Sequence, residues 1–312
     1  MERFDYCISR CGKTQPAPPC DRPAVSKPSI HDNFGGLSVT DAAELRKIQE
    51  QEKKMKPIQA GALAAILTAG FAAPASAVIM YDQNATNNAI FGSGNTNGSY
   101  TTDRANGVEL GLRGKLRFNA ANAPENTFNS GGDGTYSFDS GLPPSGFGFA
   151  PGSTSTAVWN FEWSINTDYD GSSGLSLDEL VYTIEIDFDP GLGVNFQSFD
   201  PINVPFADHS IGDNTTAQGA GAEATDAASY SALLAGNNLA QNSWNMEFFD
   251  NAMYPFDGRV NGIYDIRLSA GYAGAAPLAS TSIQILVGVP EPGTVFLMGA
   301  ALMGLRVSRK QR

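Results

Sequence analysis

Two stretches of alternating residues constrain the fold of this chain more than any other feature of its sequence. In residues 157–165 and again in residues 180–188, an apolar side chain occupies every second position. These positions are Ala157, Trp159, Phe161, Trp163 and Ile165 in the first stretch, and Leu180, Tyr182, Ile184, Ile186 and Phe188 in the second. A period of two places such residues on one face of a β-strand. The Gly-, Ser- and Asp-rich residues between the stretches predict that the two strands pair as a hairpin.

Further segments predict strands, which makes the region from residue 78 to residue 289 an all-β body. These strands are predicted at residues 108–118, 134–138, 243–249, 264–270 and 280–287. One short helix is predicted over residues 222–235. Long surface loops are predicted for the Asn- and Gly-rich residues 83–102 and 119–132. Many short antiparallel strands favour a β-sandwich or a jelly-roll-like body.

Charged residues and cysteines are unevenly distributed along the chain of 312 residues. The body, residues 78–289, carries six basic and 23 acidic side chains, a net charge of −17, against −12 for the whole chain. Such acidity argues against nucleic acid and other anionic partners. All three cysteines lie before residue 21, so the body relies on its core and not on a disulfide framework.

Residues 55–77, together with the lysines just before them, contain the three parts of a secretory signal peptide in the right order. Lys53, Lys54 and Lys56 precede an apolar stretch at residues 60–73, and Ala75-Ser-Ala77 follows as a small-residue cleavage site. The apolar stretch is shorter than the ~20 residues of a membrane-spanning helix. We therefore expect export by the general secretion machinery and cleavage by signal peptidase at Ala75 and Ala77. The alternative is a buried Ala-rich helix.

Residues 1–54 precede this signal, where a signal peptide would ordinarily begin the protein. Met55 stands where a start codon would give an ordinary signal peptide, so we predict that residues 1–54 are an untranslated or disordered leader. The alternative is a genuine long signal with a cytoplasmic extension. Within that extension, Cys7, Cys11 and Cys20 with His31 resemble a zinc pattern only weakly.

Residues 290–312 combine a rigid turn, an apolar segment and a basic end. Pro290-Glu291-Pro292 precedes an apolar run at residues 294–305, and a cluster of Arg and Lys follows from Arg306. The run would be ~18 Å long as a helix, which is short for a bilayer core of ~30 Å. The basic cluster would remain cytoplasmic by the positive-inside rule. The pattern predicts a short C-terminal transmembrane helix that anchors the chain transiently in the inner membrane.

This tail resembles the PEP-CTERM sorting domain in three ordered features: Pro290-Glu291-Pro292, the apolar run and the basic end. The resemblance implies export in a Gram-negative cell and recognition of the PEP motif by an exosortase, which processes the tail. It also implies a cell-surface or extracellular location and an association with exopolysaccharide and biofilm. The same tail is also known as an ice-binding protein C-terminal domain, a label that describes the tail alone. The alternative is a simple C-terminal anchor.

The loop between the two alternating stretches contains the clearest pattern of a cofactor site in the body. Asn166, Asp168 and Asp170 are spaced like the first oxygen ligands of an EF-hand, and Gly171 follows them. The pattern fails at its end, because Leu177 stands where the last ligand belongs and the flanks have strand period. If calcium binds, the ligands are expected to be Asp168, Asp170, Asp178 and Glu179. The alternative is a polar loop in which these side chains satisfy turn backbone.

No catalytic motif is found, and we predict that the protein is not an enzyme. His209 is expected to be a solvated loop residue, and Trp159, Trp163 and Trp244 are expected in the core more than on a sugar-binding surface. The favoured function is a structural or adhesive surface or matrix protein in exopolysaccharide. The alternatives are a carbohydrate-binding or glycoside-hydrolysing β-sandwich and a calcium-dependent adhesive protein.

Overall fold

The computed structural model describes residues 78–146, 148 and 152–289, and in these residues the all-β prediction is confirmed. The strands are β1 (Ile79–Gln83), β2 (Tyr100–Ala105), β3 (Val108–Leu116), β4 (Thr135–Phe138), β5 (Trp159–Asn166), β6 (Val181–Asp187), β7 (Phe196–Phe199), β8 (Ser210–Gly212), β9 (Leu239–Trp244), β10 (Gly262–Gly271) and β11 (Ala279–Val287). One helix, α1 (Ala227–Gly236), and two short 3₁₀ helices, Leu177–Glu179 and Met246–Phe248, complete the described elements.

The predicted leader, signal peptide and C-terminal helix lie outside the described residues. Among the residues that the structure describes, no helix has the length and apolar character needed to cross a membrane.

The strands form two sheets. Six strands are ordered β1-β2-β3-β5-β9-β8, and five are ordered β4-β11-β10-β6-β7. All described pairs are antiparallel except β4 and β11, which run parallel. The two sheets contribute to one hydrophobic core, in which the Trp159 ring of β5 lies 6.0 Å from the Tyr264 ring of β10.

Gly114 of β3 lies where the two sheets approach each other closely. A Cβ atom on this residue would lie 2.8 Å from side-chain atoms of Phe138 and Tyr136 and 2.9 Å from Ile285. These three neighbours belong to β4 and β11 of the opposite sheet. The glycine is therefore required by the close approach of the strands rather than by a turn.

The predicted hairpin is wrong, although both of its strands exist. β5 lies in the six-stranded sheet between β3 and β9, whereas β6 lies in the five-stranded sheet between β10 and β7. The connection crosses from one sheet to the other, and its residue Leu177 is buried in the shared core. Period-two alternation fixes the face of each strand but not its partner, because pairing depends on residues far away in sequence.

The outer face of the six-stranded sheet is covered by residues 84–99, which we call the covering segment. Ala89, Ile90 and Phe91 of this segment are buried, although the sequence predicted a surface loop here. Gln241 of β9 fixes the segment, since its amide donates to Asn88 O at 2.9 Å and accepts from Ile90 N at 2.7 Å. The predicted loop also ends early, because β2 begins at Tyr100.

Two other boundaries differ from the prediction. The strand predicted at residues 243–249 ends at Trp244, and the 3₁₀ helix Met246–Phe248 follows it. The predicted helix begins later, at Ala227, because Asp226 caps it by accepting a hydrogen bond from Ser229 N.

Candidate functional site

The four carboxylates predicted to bind calcium accept hydrogen bonds from nearby groups of the same loop. Asp168 Oδ1 accepts hydrogen bonds from Ser173 N at 2.9 Å and Gly174 N at 3.0 Å. Asp170 Oδ1 accepts from the hydroxyl of Ser172 at 2.6 Å, and this bond is the main reason that the pKa of Asp170 is lowered. Asp170 Oδ1 also accepts from Ser172 N at 3.0 Å, which is the contact of an Asx turn.

Asp178 and Glu179 lie in the 3₁₀ helix at the other end of the loop. Glu179 Oε2 accepts from Ser176 N at 2.8 Å, and Asp178 Oδ1 accepts from the Ser176 hydroxyl at 2.7 Å. In the described part of the chain, no three His, Cys, Asp or Glu side chains are grouped to hold a metal ion. The structure therefore does not bring the four predicted ligands together, and calcium binding stays a prediction.

His209 is a core residue and not the solvated loop residue that was expected. It is buried, its Nε2 lies 2.8 Å from Pro201 O, and its Nδ1 lies 3.0 Å from the Asn242 side-chain nitrogen. Burial is the main cause that lowers the pKa of His209. Both ring nitrogens have protein partners, and the ring edge packs on Trp163 at 4.9 Å. The arrangement leaves neither nitrogen free for a substrate.

The three tryptophans of the body are buried, as predicted. Trp159, Trp163 and Trp244 have exposed fractions of 1%, 0% and 9%. They pack within the shared core, with Trp163 and Trp244 edge to face at 5.2 Å. No row of tryptophans is therefore presented to a sugar by the described residues.

A buried polar cluster lies beneath the covering segment. Arg113 and Glu162 face each other across β3 and β5, with a nitrogen and an oxygen 2.6 Å apart and both side chains at most 1% exposed. Lys115 lies 3.5 Å from the same carboxylate, and burial is the main cause that lowers its pKa. Arg113 also donates to the carbonyl oxygens of Thr96 and Gly98 at 2.9 and 2.6 Å. The cluster holds the covering segment on the sheet, and its charged groups are engaged with one another and with that segment.

The outer face of the five-stranded sheet is open, and it carries a shallow depression of about 370 Å³. Its polar lining comes from alternate positions of β6, β10 and β11, and it includes Arg267 of β10, whose side chain is 48% exposed. The lining includes Ile79, Thr183, Glu185, Arg267, Ser269, Ser280 and Ser282. Hydroxyl, carboxylate and guanidinium groups on a flat, open surface can make several hydrogen bonds to a hydroxyl-rich ligand.

Arg267 is held in place on this face. Its guanidinium lies 4.4 Å from the centre of the Phe196 ring on β7 and 3.7 Å from an Asp265 oxygen. Sequence reasoning identified β10 as a strand but did not single out this residue. The signal was present, because Asp265, Arg267 and Ser269 alternate with core residues and Arg267 is one of only six basic residues in the body.

The last strand of the body leads directly into the predicted sorting tail. Gly288 follows β11, adopts a positive φ of 61°, and donates its N–H to Phe138 O at 2.8 Å. Asn261 donates to Gly288 O at 3.2 Å. Pro290-Glu291-Pro292 begins two residues later, outside the described residues. The chain thus leaves the folded body at Gly288, whose N–H and carbonyl oxygen are both hydrogen-bonded.

Comparison with protein families identifies this tail. Residues 288–310 match the family described as the PEP-CTERM protein-sorting motif. The chain therefore carries a PEP-CTERM motif at the residues from which the sequence analysis predicted it, and this motif implies export, processing by an exosortase and membrane-associated sorting to the cell surface. Comparisons with curated proteins and with solved structures return no match for this chain.

Proposed function

We propose that this chain is a non-enzymatic surface or matrix protein with a structural or adhesive role in exopolysaccharide. The observation that carries the proposal is the PEP-CTERM motif, which begins at Gly288, immediately after a strand that lies inside the five-stranded sheet. The two sheets with one shared core support a β-sandwich body as the part that is displayed. The signal peptide at residues 55–77 and a transient C-terminal anchor complete the proposed export route.

The chemistry of the described residues favours a non-catalytic surface protein over an enzyme. His209 is buried with both nitrogens engaged, and the acidic loop uses its carboxylates to fix its own turns. Glycoside hydrolysis requires two carboxyl groups placed on either side of the scissile bond. In the depression, Glu185 is a lining carboxylate, and the nearby carboxylate of Asp265 is engaged by Arg267.

Carbohydrate binding is the second candidate function, and the open depression is the observation that favours it. Its hydroxyls and the Arg267 guanidinium would donate to ring hydroxyls of a neutral saccharide. A neutral ligand suits the body, because its net charge of −17 opposes polyanions. Binding of matrix polysaccharide at this face would also supply the adhesive role.

The proposed contact predicts that Arg267→Gln weakens binding of the full chain to neutral exopolysaccharide from the producing cell. Loss of a hydrogen bond from a charged group corresponds to a dissociation constant that is roughly tenfold larger. Arg259→Gln is the matched control, since Arg259 is also exposed and also paired with a neighbouring aspartate, Asp257 at 2.6 Å. Co-sedimentation with the polysaccharide measures the binding. Equal binding by both variants, or no binding by the unchanged chain, contradicts this contact.

A further inference from the structure

The strand ends around Gly288 form one end of the body, which we call the exit end. β11 finishes there beside the start of β10, because Val287 is paired with Gly262. The loop after β6 joins this end, since Ile263 N donates to Pro190 O at 3.2 Å. The loop before β10 joins it as well, since Asn195 donates to Met253 O at 3.4 Å.

The loops of the exit end expose several large apolar side chains. Leu192 is 95% exposed, Met253 72%, Val194 54% and Val260 42%. We call these four residues the exit-end apolar cluster. Single exposed apolar residues are ordinary on a protein surface, but several on the loops at one end indicate a contact surface.

The sequence after the body limits how far this end can lie from a bilayer. Only residues 289–293 separate Gly288 from the apolar run at residues 294–305. Five residues reach at most ~18 Å when fully extended. Once the apolar run is anchored, the exit end must therefore lie within about that distance of the hydrocarbon core.

The charged groups at this end are compatible with a lipid surface of no net charge. Asp257 is paired with Arg259 at 2.6 Å. Asp189 accepts from Gly191 N at 2.8 Å, and Asp250 accepts from Phe256 N at 2.8 Å. These three carboxylates are thus occupied within their own loops, while the four apolar side chains remain 42% to 95% exposed.

We propose that, while the tail is anchored, the exit-end apolar cluster inserts into the surface of the lipid bilayer and holds the body upright on the membrane. The proposal rests on the proposed anchoring of the tail and adds a second membrane contact made by the folded body. Apolar side chains on loops gain free energy when they enter the boundary between headgroups and acyl chains. After the tail has been processed, the exit-end apolar cluster would be the body's one remaining membrane contact. The body would then leave the membrane more readily.

The test uses the full chain with Cys7, Cys11 and Cys20 replaced by Ser, since residues 78–289 contain no cysteine. An environment-sensitive fluorophore is attached at Leu192→Cys or Met253→Cys in the exit end. The matched controls are Val181→Cys and Tyr272→Cys, which are 42% and 50% exposed at the opposite end of the same sheet. Each protein is reconstituted into phosphatidylcholine vesicles that contain, or lack, lipids with a spin label on the acyl chain.

We expect a blue-shifted emission and a loss of emission on spin-labelled lipid at the two exit-end positions, and neither change at the two controls. Flotation of the vesicles separately reports anchoring of the chain, and comparison with a variant that lacks residues 294–312 assigns this anchoring to the tail. Proteins that float without any difference between the two ends overturn the bilayer contact and leave the anchor intact. A blue shift without quenching indicates burial against protein and also overturns it. A chain that does not float contradicts both the anchor and the contact.

Discussion

Arg113 places a positive charge in a region that water does not reach, and its neighbours replace the lost solvation. Glu162 neutralises the charge, and the rings of Tyr100 and Phe128 lie 4.2 and 4.3 Å from the guanidinium carbon. A buried ion pair adds little net stability, but a buried charge without its partner is strongly destabilising. The pair therefore specifies this arrangement of β3, β5 and the covering segment rather than supplying the main folding energy.

We predict that Arg113→Met lowers the free energy of unfolding by about 3–5 kcal/mol, because it leaves the Glu162 carboxylate with Lys115 as its remaining cation. Adding Glu162→Gln to this variant should restore part of the loss. Urea denaturation measures both. Arg259→Met, which breaks an exposed pair, should change stability little. Strict additivity of the Arg113 and Glu162 substitutions would contradict their coupling.

Part of this cluster could be predicted from sequence. Alternation in β3 places Glu109, Arg113 and Lys115 on the face opposite Leu110 and Leu112. Sequence does not indicate that this face is buried, because the covering segment has no periodic pattern and is fixed by hydrogen bonds to residues about 150 positions away, such as Gln241. His209 was mispredicted for the same reason, since its burial depends on distant residues such as Trp163.

At the scale of elements, β5 and β6 look alike in sequence but differ in their surroundings. All eight residues of β5 are buried, whereas β6 exposes Val181 and Thr183. β5 is central in its sheet and is covered on both faces, while β6 has the open depression on its outer face. Sequence alternation identified both strands, and the partner of each was decided by strands from distant parts of the chain.

Gly114→Ala tests how closely the two sheets pack. The added methyl group would meet Phe138, Tyr136 and Ile285 at 2.8–2.9 Å, so we expect a loss of about 1–3 kcal/mol or more in the free energy of unfolding. Gly236→Ala in the last turn of α1 is the control, because nothing lies within 4 Å of its added methyl group. Thermal or urea unfolding measures both variants. A neutral Gly114→Ala would show that the sheets lie further apart than the structure places them.

At the scale of the whole molecule, the most important feature is that the PEP motif follows the last strand of the folded body almost directly. Gly288 is bonded to Phe138 and Asn261, and the PEP motif follows after Val289. An enzyme that acts on the motif must therefore work directly beside the exit end of a folded body. The sequence alone identified the motif, but it could not show that the preceding strand lies inside a sheet and leaves no linker.

The PEP-CTERM motif implies that this body is directed to the cell surface through an exosortase. Intact-mass spectrometry of the surface-exposed protein, in producing cells with and without the exosortase, tests it most directly. We predict a processed C-terminus that is lost, with the chain retained at the membrane, when the enzyme is deleted or when Glu291→Ala is introduced. Gln311→Ala, outside the matched residues 288–310, should be processed normally. The same mature protein released with and without the enzyme would contradict the account.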